Sequence, residues 1–397
     1  MSRARNASFR PIIQVPTRDI GEKFSYPDLL PVKEKQSHPA WESSPHIKEE
    51  EFTRAESLAL FDYLRKSRSH GFVVSLSGGA DSTAVSYLVA RIVDFAVGEI
   101  GRDAFLKKLS YVPGLAQTTD NKALVRRLLA CVYQSTRNSG DVTRNAARTV
   151  AKALGAEFLE FNVDELVQGY TNVVAKAIGR ELDWKIDDLA LQNIQARSRA
   201  PSVWMLANIR NSLLLATSNR SEAAVGYATM DGDTSGGLSP IAGIDKAFIR
   251  RWLRWCETHG PDGIGPLPEL KVVNDQAPTA ELRPSAAKQT DEDDLMPYEL
   301  LDAIERAAIR DKQSPSEILL LMEVEFPQYS RQQLVIWIER FFRLWSRNQW
   351  KRERYAPSFH LDDENLDPKT WCRFPILSGG YERELAELRK LAGPGSP

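Results

Sequence analysis

The chain alternates between short apolar runs and amphipathic stretches. From Phe52, apolar residues recur through Leu58, Leu60, Phe61 and Leu64. That period predicts a helix with one buried face. Gly71-Phe72-Val73-Val74-Ser75-Leu76 follows, a compact apolar run of buried-strand type. Behind Ser77-Gly78-Gly79-Ala80-Asp81-Ser82, the residues Ala84, Val85, Leu88, Val89, Ile92 and Val93 mark one face of another helix. The pattern then repeats. Strands are predicted over 128–133, 157–163 and 213–217, and helices over 142–154 and 190–211. Such alternation implies an α/β fold: a doubly wound parallel sheet, covered by helices on both faces. Residues 257–297 read as loop, and 298–355 turn helical again. The expected organisation is an extended arm or linker over 1–50, a main domain over 51–310, and a C-terminal helical extension and tail over 311–397.

Composition narrows the class. The chain has 397 residues, 42% hydrophobic and 26% charged, as an ordinary globular protein has. A formal net charge of -1 argues against a globally basic nucleic-acid binder. No apolar run approaches the roughly 20 residues that span a bilayer. Residues 1–16 carry no apolar core of the signal-peptide kind. Cys131, Cys256 and Cys372 are widely spaced and odd in number, so the expected compartment is the reducing cytoplasm.

The strongest chemical signal is Ser77-Gly78-Gly79-Ala80-Asp81-Ser82 between a strand and a helix. Glycines let the backbone approach an anion without a Cβ clash, and the N–H groups of the following helix supply donors. Asp81 would repel bare phosphate, so it implies a bridging Mg²⁺. The competing reading is a plain glycine turn with a Ser/Asp helix cap. The strand–loop–helix setting favours the phosphate loop. It is no Walker A loop, because the Gly-Lys-Ser/Thr ending is missing. Further along, Asn193 and Arg197 lie four apart in Asn193-Ile194-Gln195-Ala196-Arg197, on one helix face. Thr217-Ser218-Asn219-Arg220-Ser221-Glu222 leads from a strand end into a helix start. Glu222 there is either a capping-box residue, with Asn219 or Ser218 as the cap, or a second Mg²⁺ ligand. The Gly/Asp-dense stretch Gly226-Tyr227-Ala228-Thr229-Met230-Asp231-Gly232-Asp233 reads as a binding loop. Lys246, Ala277-Pro278-Thr279-Ala280-Glu281-Leu282 and Gln289-Thr290-Asp291-Glu292-Asp293-Asp294-Leu295 come next.

These blocks, in this order over about residues 52–310, resemble the NAD synthetase family, most closely the synthetase part of the glutamine-dependent bacterial enzymes. The first loop alone resembles the wider group of N-type ATP pyrophosphatases. The resemblance implies an adenine nucleotide alpha hydrolase-like, Rossmann-like fold. It implies amidation of deamido-NAD through an adenylate, releasing AMP and pyrophosphate, with ATP as co-substrate and Mg²⁺. It places Ser77, Gly78, Gly79, Asp81, Ser82 and Thr217 on ATP. Asp81 and Glu222 fall on the metal; Asn193, Arg197, Tyr227 and Asp233 fall on deamido-NAD. Lys246 and Thr279 fall where the family contacts the reacting phosphate and adenylate, so the catalytic set is Asp81, Lys246 and Thr279. The resemblance also implies a homodimer, for which the 190–211 helix with Trp204, Met205 and Leu206 offers a contact.

The glutaminase of such enzymes uses a nucleophilic Cys, and no Cys precedes Cys131. Residues 1–50 resemble the tail of a glutaminase rather than a whole one. The expectation is ammonia as nitrogen source, with a separate glutaminase subunit as a candidate partner. Two rivals differ in class. A tRNA-thiolation enzyme would bring a reactive Cys pair or a basic domain. A non-enzymatic nucleotide sensor would not need both Asp81 and Glu222.

Overall fold

The computed structural model describes residues 21, 23, 25, 39–276, 282, 291–362 and 364–392. Residues Ala40–Pro397 form one compact unit. Helix α1, Ile47–Ser67, begins five residues before the first apolar position of the pattern and buries Phe52, Leu60, Phe61 and Leu64. Strand β1, Phe72–Ser75, runs into the glycine loop and then into α2, Ala80–Ile100. Helices α3, Arg102–Lys108, and α4, Asn121–Leu128, lead to β2, Leu129–Ser135. Helix α5 is Asp141–Leu154 and β3 is Glu157–Asn162. Then come α6, Asp164–Ile178, α7, Asp188–Arg210, and β4, Leu213–Leu215.

The four strands are parallel, in the order β3-β2-β1-β4. Phe72 is in register with Leu129 on one side and Leu213 on the other. Parallel neighbours require long crossovers, and the intervening helices supply them. Side-chain alternation splits the sheet between two layers. Phe72, Val74, Cys131, Tyr133 and Leu215 join α1, α2 and α5 in one core. Val73, Ala130, Val132 and Leu214 join Val203 and Ala207 of α7 in another. The expected doubly wound α/β sheet is therefore present. Chain order reverses between β1 and β4, which is the switch point where ligands bind in open parallel sheets.

Helix α8, Arg220–Val225, and α9, Lys246–Thr258, follow β4. The stretch read as loop holds the short helices α10, Lys271–Asn274, and α11, Asp291–Asp294. Beyond it, α12, Tyr298–Glu305, continues into a π-helical turn, Arg306–Arg310. Helix α13, Pro315–Glu325, starts at a capping box made by Ser314 and Glu317. Helices α14, Arg331–Arg347, α15, Gln349–Arg352, and α16, Glu382–Leu391, complete the set. A separate apolar cluster joins α12, α13, α14 and α16 to Ala223, Ala224 and Val225 of α8. Buried Arg352 ties this region to α8 by donating to the Ala223 and Ala224 carbonyls at 3.3 and 2.8 Å. Among the described residues no helix is long and apolar enough to cross a membrane.

Candidate active site

A cavity of about 450 Å³ opens at the carboxyl edge of β1 and β4. Ser75 and Ser77 enter it from the end of β1, and Ala216, Thr217 and Ser218 from the end of β4. The loop between β1 and α2 is held by its own atoms. Ser82 Oγ accepts the Ser77 amide at 3.1 Å and lies 3.0 Å from Ser77 Oγ. Gly78 has φ +87°, and a Cβ there would lie 2.2 Å from the Thr143 carbonyl oxygen. Only glycine lets this turn pack so closely on α5. The Ser77 and Gly79 amides are taken by Ser82 Oγ and Ser77 Oγ, at 3.1 and 3.3 Å, while the N-terminus of the 21-residue helix α2 begins at the cavity, where Gly79, Ala80 and Asp81 line it.

The charged centre is built by three elements. Asp81 comes from the first turn of α2, Glu222 from the first turn of α8, and Lys246 from the first residue of α9. Lys246 Nζ donates to Asp81 Oδ2 and, at 3.3 Å, to Glu222 Oε1. Asn219 caps α8 by accepting the Glu222 amide at 2.9 Å, and its Nδ2 donates to Asp81 Oδ1 at 3.1 Å. Burial raises the Glu222 carboxyl, against the pull of Lys246, and neighbouring Asp81 and Asp291 add to the rise. Burial works to lower the Lys246 ammonium, but Asp81 and Glu222 outweigh it and the net shift is upward. Asp291 is pushed up to about 6, chiefly by burial. A lysine among converging carboxylates in a partly closed cavity is a charge arrangement that a polyanion with a cation can enter.

The second set of expected residues is also brought here, with one exception. Tyr227 lines the cavity and donates to Asp294 at 2.9 Å. Asp233 lines it and accepts the Thr229 amide at 2.9 Å. Asn193 lines it and accepts the Thr229 hydroxyl at 2.9 Å. Arg197 does not line it; its exposed guanidinium donates to the Met230 carbonyl at 3.0 Å. Arg199 and Lys351 line the cavity instead. Lys351 Nζ donates to the Gly226 and Ala228 carbonyls at 2.6 and 2.8 Å, fixing the Gly/Asp-dense stretch from α15. Nothing in the local sequence around Lys351 marks it; only its packing against α8 brings it in. Thr279 lies outside the described residues.

The cavity at a switch point, the glycine loop and the parallel sheet define an α/β protein of the adenine nucleotide alpha hydrolase-like fold. The NAD synthase family model matches residues 53–354, and the chain belongs to that family. It is 36% identical over 271 residues to a glutamine-dependent NAD(+) synthetase of Aquifex aeolicus, covering 68% of this chain and 40% of that protein. It is 30% identical over 340 residues to one from Oryza sativa subsp. indica, covering 80% and 46%. The chain thus spans about half the length of the curated relatives it matches. The crystal structure of a glutamine-dependent NAD(+) synthetase from Cytophaga hutchinsonii superposes with a TM-score of 0.76 at 47% identity, over 86% of this chain and 56% of that one. An NMN synthetase from Francisella tularensis, at 19% identity and a TM-score of 0.53, shares the fold over 77% of this chain and 95% of its own.

Proposed function

We propose that this chain catalyses ATP-dependent amidation of deamido-NAD to NAD, with ammonia as the nitrogen source. The observation that carries the reading is the Lys246 ammonium set between Asp81 and Glu222 beside the glycine loop. Family membership supplies the substrate class. In this reading Ser77, Gly78, Gly79, Asp81, Ser82 and Thr217 hold ATP, and Asn193, Tyr227 and Asp233 hold deamido-NAD, while Arg197, outside the cavity, steadies the neighbouring loop through the Met230 carbonyl. Lys246 and Thr279 act at the reacting phosphate.

A nicotinate carboxylate resists ammonia because it lacks a good leaving group. Its oxygen attacks the α-phosphorus of ATP, the bond to the β-phosphate bridge breaks, and pyrophosphate departs. Ammonia then attacks the carbonyl carbon of the adenylate. AMP leaves with the electron pair, and the amide nitrogen sheds one proton to solvent. The N-terminus of α2 and Lys246 offset negative charge that builds on the departing phosphates. The walls of the partly closed cavity limit the access of water to the adenylate.

Asp81 and Glu222 suit Mg²⁺: both are hard oxygen donors, and both already reach one cation, the Lys246 ammonium. Among the described residues no group of three or more candidate ligands forms. Two carboxylates plus substrate phosphates is a usual Mg²⁺ donor set. When bound, Mg²⁺ would neutralise phosphate charge.

The thiols support ammonia rather than glutamine as this chain's own substrate. Burial pushes the Cys131 thiol up to about 12 and raises those of Cys256 and Cys372. None has the depressed pKa of a glutaminase nucleophile. A glutaminase would be the source that delivers ammonia to this site. The free thiols also favour a cytoplasmic setting. A homodimer is supported by the apolar residues that α6 and α7 leave exposed, including Tyr170, Val173, Ile178, Leu189, Met205 and Ile209. Leu189 also lines the cavity, so a second copy there would wall the site. Sedimentation of an active monomer at micromolar concentration would contradict it.

The deciding assay supplies deamido-NAD, ATP, Mg²⁺ and ammonium chloride. NAD, AMP and pyrophosphate in equal amounts support the reading. ADP and phosphate, or no NAD, overturn it.

A further inference from the structure

Three cations stand on one face of α9. Lys246, Arg250 and Arg254 are spaced by four residues, so they lie above one another along about 12 Å of helix. All three line the cavity. Their burial falls in order. Lys246 is 4% exposed, the Arg250 side chain is 25% exposed, and Arg254 is open to solvent. Helix α9 packs against α2, the helix that begins at the glycine loop, and α10 packs against both α2 and α5. Asn274, whose Nδ2 donates to the Leu253 carbonyl of α9 at 3.2 Å, and Gln276 beyond the end of α10 also line the cavity, as does Thr143, whose carbonyl lies against Gly78. The stripe therefore leads outward on the phosphate-loop side of the cavity.

Its charge is only partly spent. Arg250 meets Glu292 at 3.3 Å. Among the described residues no ion pair engages Arg254, and the nearby Glu257 carboxylate accepts from Asn274 Nδ2 at 2.8 Å. A guanidinium that has no carboxylate partner among the described residues, at the mouth of a cavity, is suited to phosphate oxygens. Resting on the proposed reaction, we infer that Arg250 and Arg254 form a binding site for inorganic pyrophosphate on its way out. Lys246 releases the anion to Arg250, which exchanges Glu292 for phosphate, and Arg254 receives it at the rim. Graded exposure makes each position weaker than the last, as release requires. The same stripe is where pyrophosphate would inhibit.

The test measures binding of inorganic pyrophosphate to the full chain by calorimetry, in wild type, Arg250→Gln and Arg254→Gln. Arg251→Gln is the control, because Arg251 lies over the Phe248 ring and does not line the cavity. Arg254→Gln and Arg250→Gln should each weaken pyrophosphate by about tenfold, the loss of one charge-assisted contact. Arg251→Gln should change it by less than about twofold. Product inhibition by pyrophosphate should weaken in the same order. Unchanged binding in Arg254→Gln, or equal weakening in Arg251→Gln, overturns the stripe. If wild type makes no NAD yet binds pyrophosphate through Arg254, the proposed reaction fails and the anion site stands. If NAD forms and Arg254→Gln binds as wild type, the stripe alone fails.

Discussion

The Ser221 hydroxyl donates to Asp302 inside the protein, and the same Ser221 oxygen accepts the Lys246 amide at 2.8 Å. The other Asp302 oxygen accepts the Ala247 amide at 3.1 Å. One carboxylate of α12 thereby fixes the starts of α8 and α9 against each other. Those starts carry Glu222 and Lys246. Arg220, almost wholly buried, reinforces the joint through Glu305 at 3.0 Å and Asp245 at 3.3 Å.

Removal of that carboxylate should therefore injure both stability and turnover. Asp302→Ala leaves the Ser221 hydroxyl and the Ala247 amide without their acceptor in the interior. The expected cost is about 2–4 kcal/mol in urea unfolding. In the protein that remains folded, kcat should fall by roughly tenfold or more, because misplacement of reacting groups is costly. Asp302→Asn keeps one acceptor and should recover part of both losses. Full activity in Asp302→Ala would show that Glu222 and Lys246 are placed without it.

Asp81→Asn and Glu222→Gln should each lower kcat by roughly 10²–10³-fold, the scale seen when one electrostatic stabiliser is removed. Circular dichroism and thermal unfolding should stay close to wild type. The assay is NAD formation at limiting Mg²⁺. Near-normal turnover in either variant refutes the metal role of that residue.

The sheet and the loop were legible because local pattern governs them. Strands β1, β2 and β4 read as apolar runs and the edge strand β3 as a mixture of polar and apolar residues, and all four lie within three residues of their expected bounds. Strand β2 runs two residues further, to Ser135, where Gln134 is held by Ser75, Arg199 and Ser202 rather than by an apolar contact. Helix α6 escaped notice because most of its apolar residues stay exposed, leaving Ala175 as its buried residue. On sequence alone Glu222 could be a capping-box residue behind Asn219 or Ser218, or a ligand. The structure gives the capping to Asn219 and turns Glu222 toward Lys246. Lys351 and the α9 stripe were not legible, since both depend on which helix faces the cavity.

Gly78→Ala should disable the loop. A left-handed φ of +87° strains any side chain, and the added Cβ meets a backbone oxygen that cannot swing away. Stability should drop by about 1–3 kcal/mol. ATP affinity should drop further than deamido-NAD affinity, which equilibrium binding of each nucleotide will read. Equal loss of both would point to general unfolding instead.

Glu56 does not line the cavity, and its effect is on stability. It is fully buried in α1, and neither carboxylate oxygen has a hydrogen-bond partner among the described residues. Burial pushes its carboxyl up to about 8. The folded protein therefore keeps a proton that the unfolded chain releases near its ordinary value of 4.5. Linkage sets the sign: the unfolded state binds fewer protons between those values, so stability falls as pH rises. This contribution is fully present below 4.5, declines by roughly 1 kcal/mol per pH unit, and levels off above 8. Glu56→Met removes the titrating group while keeping an unbranched side chain that favours helix and fills the space. The variant should gain on wild type as pH is raised from 5 toward 8, in urea unfolding at several pH values. The difference between the two proteins isolates Glu56, since other groups titrate alike in both. A pH-independent difference would mean that Glu56 ionises in the folded state as it does in water.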